Sequence, residues 1–174
     1  IEPAHLVEIG PGRGFLARDA ARAMKRYGFE PRVHLVEGST RLRDAQLEQV
    51  PQAIFHHDLS TVPRRGPVLI VANEFLDALP IRQLVMTEAG WREVLVDTVD
   101  GQFVLVSGQQ PMDSAVPENR RAAEVGTVIE TCPGAAATMF EAAGRLVTQG
   151  GAALFIDYGH VTPRFGSTLQ AIRS

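Results

Sequence analysis

The chain carries a single cysteine, Cys132. One thiol excludes an internal disulfide and suits a reducing compartment. No histidine accompanies it in the surrounding sequence, and Pro133 follows, so it reads as a small buried thiol and not as a nucleophile. No apolar run reaches the roughly 18 residues of a membrane span. Nor is there an excess of positive charge: the formal net charge is −3, which argues against bulk nucleic acid as the main partner. Repeats and low-complexity tracts are absent. His56-His57-Asp58 looks at first like a metal cluster, but adjacent strand residues point to opposite faces, so no metal site is expected. There is no methionine at position 1. The chain enters a strand almost at once and ends in an amphipathic segment (Leu169, Ile172), so it reads as a piece of a longer protein.

What is present is ample for one domain. Of 174 residues, 45% are hydrophobic and 21% charged, as in an ordinary globular core and surface. Ala4 to Glu8 reads as a first strand. Leu16, Ala20, Ala23, Met24 and Tyr27 fall at helical spacing, with Gly28 as a stop. Arg32 to Glu37 reads as a second strand. Ser39 or Thr40 is placed to cap a short helix carrying Leu42, Ala45 and Gln49, ended by Pro51. Ala53 to His56 is a brief third strand. Pro67 to Ala72 is a continuous apolar run, as expected of a strand buried on both faces. Gln83 to Thr87, Trp91 to Asp97 and Gln102 to Val106 predict an antiparallel meander, an insertion over 82–107. Gly108 to Gly126 reads as a loop. Met139, Phe140, Ala143, Leu146 and Val147 form one apolar helical stripe, and Ala152 to Ile156 reads as another buried strand. Strands alternating with helices imply an α/β fold, a doubly wound, mostly parallel, Rossmann-like sheet, with 1–174 as a single domain truncated at both ends.

In such a sheet, ligands bind outside the carboxyl ends of the strands. The polar residues fall at that edge. Gly10, Gly12 and Gly14 follow the first strand, with Glu8 just before them. Glu37 ends the second, where an acid can accept both ribose hydroxyls of an adenosine-type ligand. Asp58 follows the third, placed to accept a hydrogen bond from an adenine amino group, with Leu59 beside it. Asn73 and Glu74 end the fourth, and Asp157 the last. Glu37 could equally be a solvated strand end, and Asp58 could cap the following turn. A dinucleotide fingerprint wants a third glycine where Phe15 stands. Its absence favours methyl transfer over hydride transfer, and Glu8 with the tighter G-x-G-x-G loop looks like the first motif of class I S-adenosylmethionine methyltransferases.

Asn73-Glu74-Phe75-Leu76-Asp77-Ala78-Leu79-Pro80 resembles the Asn-Glu-Phe-Phe-Asp-Ala-Leu-Pro signature of the MidA family. Glu8 to Gly14, His34 to Glu37, Gly90 to Glu93, Ile156 to His160 and Thr168 to Gln170 are similar to the same family, in order along nearly the whole chain. Leu76 stands in place of the usual phenylalanine. These are class I methyltransferase-like proteins tied to the assembly of respiratory complex I. The resemblance implies S-adenosyl-L-methionine as cofactor. It also implies symmetric dimethylation of an arginine on a protein substrate, possible partners being complex I subunits. Family members carry an N-terminal helical region and a C-terminal strand pair, neither of which is visible in this sequence. The setting implied is bacterial cytoplasm, or the mitochondrial matrix in a eukaryote.

Methyl transfer needs an in-line nucleophile and a site that excludes water. An arginine acceptor is never deprotonated in water. A carboxylate can hold its guanidinium and localise charge on one nitrogen. Glu74 and Asp77 are the candidates for that role. Asn73 could fix the acceptor nitrogen or the amino-acid end of the donor. Tyr158 and His160 are candidates to line the acceptor cleft. The meander is a candidate contact for the protein substrate, although Trp91 could instead anchor it to the core. Two other readings stay open: an inactive donor- or partner-binding assembly factor, and a nicotinamide-dependent oxidoreductase.

Overall fold

The computed structural model describes residues 3–160, 162 and 164–169. The chain divides into two compact units. The first holds residues up to Leu79 together with Gly134–Tyr158, and the second holds Pro80–Pro133 and the residues from Gly159 onward.

In the first unit, β1 (His5–Ile9), β2 (Arg32–Val36), β3 (Ile54–His56), β4 (Val68–Asn73) and β9 (Gly151–Ile156) form one sheet in the order β3-β2-β1-β4-β9. Every pairing is parallel. The reversal of strand order beside β1 is the switch point at which α/β folds open a ligand crevice. The sheet is wound on both faces. α1 (Phe15–Arg26) sets Ala17, Ala20, Ala21 and Met24 against Leu6, Val33 and Leu35. α3 (Pro133–Gln149) sets Ala142 and Leu146 against Val7, Ile9, Val68 and Ile70 on the opposite face. A shorter helix, α2 (Arg43–Gln49), follows a 3-10 turn over Thr40–Leu42. Neither Ser39 nor Leu42 caps these elements through its side chain. The Ser39 amide instead donates to Glu37 Oε1 at 2.8 Å.

In the second unit, β5 (Arg82–Thr87), β6 (Gly90–Val99) and β7 (Gln102–Pro111) are the expected meander. A fourth strand, β8 (Val128–Thr131), pairs antiparallel with β5. The segment read as a loop, Gly108 to Gly126, is shorter than expected: its first residues extend β7, and 3-10 turns form at Asp113–Ala115 and Glu118–Arg120. Leu84, Trp91, Val116 and Ile129 make a core of their own. Trp91 is fully buried there, its indole N–H donating to the Arg121 carbonyl at 2.9 Å.

Two expectations need correction. β9 is not buried on both faces: it lies at the edge of the sheet among the described residues, with Leu154 58% exposed. The stripe of α3 is also displaced. Phe140 and Val147 are 84% and 86% exposed, while Ala142 and Arg145 are buried. The helix turns its Glu141–Arg145–Gln149 row inward because Arg145 finds partners there. Its Nε donates to Glu141 at 2.8 Å, and its Nη2 to the carbonyls of Leu59 (2.7 Å) and Val62 (2.9 Å). A buried charge is tolerated only when so paired. Ile172 lies outside the described residues. No helix among the described residues is long and apolar enough to cross a membrane.

Candidate functional site

The glycine loop is shaped by one contact. Gly10 has φ +65°, a left-handed conformation that L side chains rarely adopt, and a Cβ there would lie 2.8 Å from Phe75 Cδ2. Glycine at position 10 thus lets the loop after β1 and the loop after β4 close on each other. Gly14, at φ +84°, is the N-cap of α1, and Gln46 Nε2 holds the Gly12 carbonyl at 2.7 Å. Gln46 is fully buried, a role that the sequence pattern of α2 did not reveal.

Glu8 points from β1 toward the first turn of α1. It is 3% exposed, and its Oε2 has no hydrogen-bond partner among the described residues. Burial pushes its pKa up to about 7, against a smaller downward pull from the Ala17 amide. An orphaned carboxylate oxygen is costly to bury. It borders a cleft of about 350 Å³ together with Gly10, Gly12, Asn73 and Glu74. Four sequence-selected residues are therefore brought together with Glu8.

A second cleft of the same unit, about 410 Å³, is lined by Ile9, Gly38, Asp58, Leu59, Phe75 and Glu141 among others. Asp58 does cap the following turn, its Oδ1 accepting the Ser60 amide at 2.7 Å; the Ser60 side chain first, and then this amide, lower its pKa. Leu59 is a buried packing residue whose carbonyl is taken by Arg145. Glu37 sits at the end of β2, half-buried, beside Gly38.

Asn73, Glu74 and Asp77 are exposed at the end of β4. Glu74 has φ +48°, one of two non-glycine residues with positive φ among those described. Backbone strain of this kind persists only where the surroundings impose it. Here the Glu74 amide donates to the Ile156 carbonyl at 2.8 Å, and Asp157 Oδ2 accepts the Leu76 amide at 2.7 Å. Burial alone would raise the pKa of Asp157, but the amides of Leu76, Tyr158, Asp77 and Phe75 hold it below the usual carboxylate range. Asp157 had been read only as a strand-end acid; its use is to fix the loop that carries Glu74. Tyr158 lies exposed just beyond β9. His160 belongs to the second unit, where it borders a separate cleft with Glu130 and Thr168.

A parallel sheet with its switch point beside β1, a positive-φ glycine loop there and acids at successive strand ends define a Rossmann-like, class I methyltransferase fold. The chain belongs to the family described as "Putative S-adenosyl-L-methionine-dependent methyltransferase", whose model matches residues 2–174. It is 35% identical, over 89% of its length, to the mitochondrial protein arginine methyltransferase NDUFAF7 of Mus musculus, and 34% identical over the same share to that of Homo sapiens. The chain spans 42% of the length of both relatives. A solved structure from Burkholderia thailandensis, bound to S-adenosyl-homocysteine, matches 91% of this chain and 42% of its own length, with a TM-score of 0.67 and 30% identity. An uncharacterized protein from the same organism matches 92% of this chain and 44% of its own, with a TM-score of 0.70 and 30% identity.

Proposed function

We propose that this chain is the donor-binding part of an S-adenosyl-L-methionine-dependent protein arginine methyltransferase. The observation that carries the reading is the orphaned Glu8 Oε2 facing the glycine loop. It is a buried acceptor that the donor's ammonium group would satisfy. Gly10, Gly12 and Gly14 leave the backbone bare for the donor's amino-acid end, and Asn73 can contact the same end. Glu37 is suited to the ribose hydroxyls. Asp58, with one oxygen on Ser60, keeps acceptor capacity for an adenine amino group beside the apolar Leu59. When bound, S-adenosylmethionine supplies an activated methyl group on sulfur.

The residues of the chain then do the rest. Glu74, held at its strained conformation, and Asp77 three positions on would clamp the guanidinium of the acceptor by charge-assisted hydrogen bonds. The clamp aims one nitrogen and discourages delocalisation toward it. Tyr158 and His160 are read as contacts for the acceptor protein. The 82–107 meander is read as an insertion in one methyltransferase domain, serving recognition of that protein. The relatives are mitochondrial enzymes, so complex I subunits are the first acceptors to try. The compartment is bacterial cytoplasm, or the mitochondrial matrix for a eukaryotic source.

Calorimetric titration with S-adenosylmethionine, with NAD as comparison, tests the reading. Micromolar binding of the methyl donor alone, lost in Glu37→Ala, is expected. Glu74→Gln should keep donor binding and lose methylation of an arginine-bearing acceptor; unchanged turnover would remove the clamp role. Donor binding without methylation of any acceptor would favour an assembly factor, and NAD binding an oxidoreductase.

A further inference from the structure

Three histidines form a continuous ladder across the first unit, apart from the proposed methyl-transfer residues. They lie on the sheet face that α3 covers, on β1, β2 and β3 in turn. His5 and His34 are buried, and His56 is half-buried. His5 Nε2 meets the Arg65 carbonyl at 2.7 Å. His5 Nδ1 meets His34 Nε2 at 2.8 Å, and His34 Nδ1 meets His56 Nε2 at 2.8 Å. His56 Nδ1 meets Thr61 Oγ1 at 2.9 Å, and that hydroxyl lies 2.7 Å from the Asp58 carbonyl. Thr61 and Asp58 flank the turn whose Asp58 and Leu59 line the larger cleft.

The protons do not suffice for these contacts. Both ends of the ladder are carbonyls, which only accept. There are five short contacts, and each needs one proton. Three neutral imidazoles and one hydroxyl supply a proton each, so one contact is always short. With every ring neutral, the missing proton is better tolerated at the exposed Asp58 end than at the part-buried Arg65 end, which selects the Nε2–H tautomer on His5. That choice forces Nε2–H on His34 and on His56. Thr61 must then donate to His56, and its approach to the Asp58 carbonyl has no proton. One added proton resolves this. His56 donates through both nitrogens, Thr61 rotates to donate to Asp58, and all five contacts are made. A second proton would set N–H against N–H.

We propose that His5, His34 and His56 hold at most one shared proton and that Thr61 passes its presence to the Asp58 turn. The histidines and Thr61 are thereby positioning residues for the adenine side of the donor pocket. The inference rests on the donor-binding reading above. The charged and titratable groups facing the ladder are Arg32 on β2, Arg145 of α3 with its partner Glu141, and His57 and Asp58 beyond β3. Burial, then the neighbouring histidines and the cations Arg32 and Arg145, lower the pKa of His34 to about 4; burial and Arg145 lower that of His56. Both shifts keep His34 and His56 neutral at pH 7 and move their protonation into acid. With one proton the ladder makes all five contacts and fixes the Asp58 turn, so donor affinity is expected to rise as pH falls.

Thr61→Val removes the hydroxyl and with it the deficit, because three rings then serve three contacts. S-adenosyl-homocysteine affinity, measured from pH 8 to pH 5, should gain about fivefold in the unmodified chain beyond any gain in Thr61→Val, a coupling at the low end of the usual range. Thr61→Ser should restore the difference. Glu8 also titrates at the pocket, but its contribution is common to all three proteins and cancels. Nitrogen-15 spectra of histidine-labelled chain give an independent reading: at pH 8 the three ring systems should all be Nε2–H tautomers. Equal pH dependence in Thr61→Val overturns the coupling, and an Nδ1–H tautomer at His34 overturns the ladder. Absence of S-adenosyl-homocysteine binding at every pH, with the tautomers as stated, would overturn the proposed function and with it the positioning role, leaving only the proton count.

Discussion

Gly10 shows how much of the site rests on one hydrogen atom in place of a side chain. A methyl group at position 10 meets two separate penalties. The left-handed backbone costs about 1–2 kcal/mol for an alanine. The Cβ would also lie 2.8 Å from Phe75 Cδ2, a separation at which the ring must shift. Gly10→Ala should therefore lower the thermal midpoint by several degrees and abolish donor binding by displacing the Phe75 loop. Adding Phe75→Leu should restore part of the stability through relief of the clash, but not the backbone share, so the double-mutant cycle would be non-additive. Additive losses would show that the two loops do not press on each other. At this scale the sequence was informative about residue types and less so about partners. Glu8, the glycines and Asn73-Glu74 could be placed at one sheet edge because strand ends and glycine turns are local signals. The three histidines could not be joined into a ladder, since His5, His34 and His56 meet only through the register of three parallel strands. That register places His34 opposite Val7 and His56 opposite Val36.

Among the elements, the two misread ones share a cause. Periodicity identifies α3 as a helix but does not say which of two adjacent stripes meets the sheet. The inward row carries Arg145, whose value lies in carbonyls of the 59–62 turn far away in sequence. β9 reads as buried because its residues are apolar, yet burial depends on what pairs with its outer edge. β8 escaped notice because four residues between the polar, proline-bearing stretch and the next helix have too few alternations to register. The loop after β4 carries Glu74 and Asp77, the residues proposed to clamp the acceptor, and it is held from outside by Asp157. Asp157→Asn replaces a carboxylate that accepts several amides with a group that offers one acceptor oxygen and two donors facing those amides. Glu74 and Asp77 would then lose their fixed placement, while the donor pocket around Gly10 would keep its own contacts. The expected result is an unchanged donor affinity with kcat reduced about tenfold or more, as for other losses of alignment. A parallel loss of donor affinity would mean that Asp157 supports the pocket as a whole.

At the level of the whole molecule, two buried titratable groups on opposite faces of the sheet oppose each other in acid. Glu8 has its pKa raised from 4.5 to about 7 by burial. A carboxyl shifted this way favours the folded state below pH 4.5, and that contribution is lost as pH rises through about 7. His34 has its pKa lowered from 6.5 to about 4, by burial and neighbouring positive charge. An imidazole shifted this way favours the folded state fully above pH 6.5, and the contribution is lost as pH falls toward about 4, because the unfolded chain takes the proton first. By linkage each is worth about 3 kcal/mol across its window. Between pH 4.5 and 6.5 the two slopes have opposite sign and nearly cancel, so these groups leave the unmodified chain with a flat stability profile there. Glu8→Gln removes one of the two. Its unfolding free energy, from urea denaturation without ligand, should fall by about 2–3 kcal/mol from pH 6.5 to pH 4.5, while the unmodified chain changes little. A Glu8→Gln profile as flat as that of the unmodified chain would mean that His34 is not held neutral in the fold. A glutamine at position 8 that made no difference at any pH would mean that Glu8 is not buried as a proton-binding group.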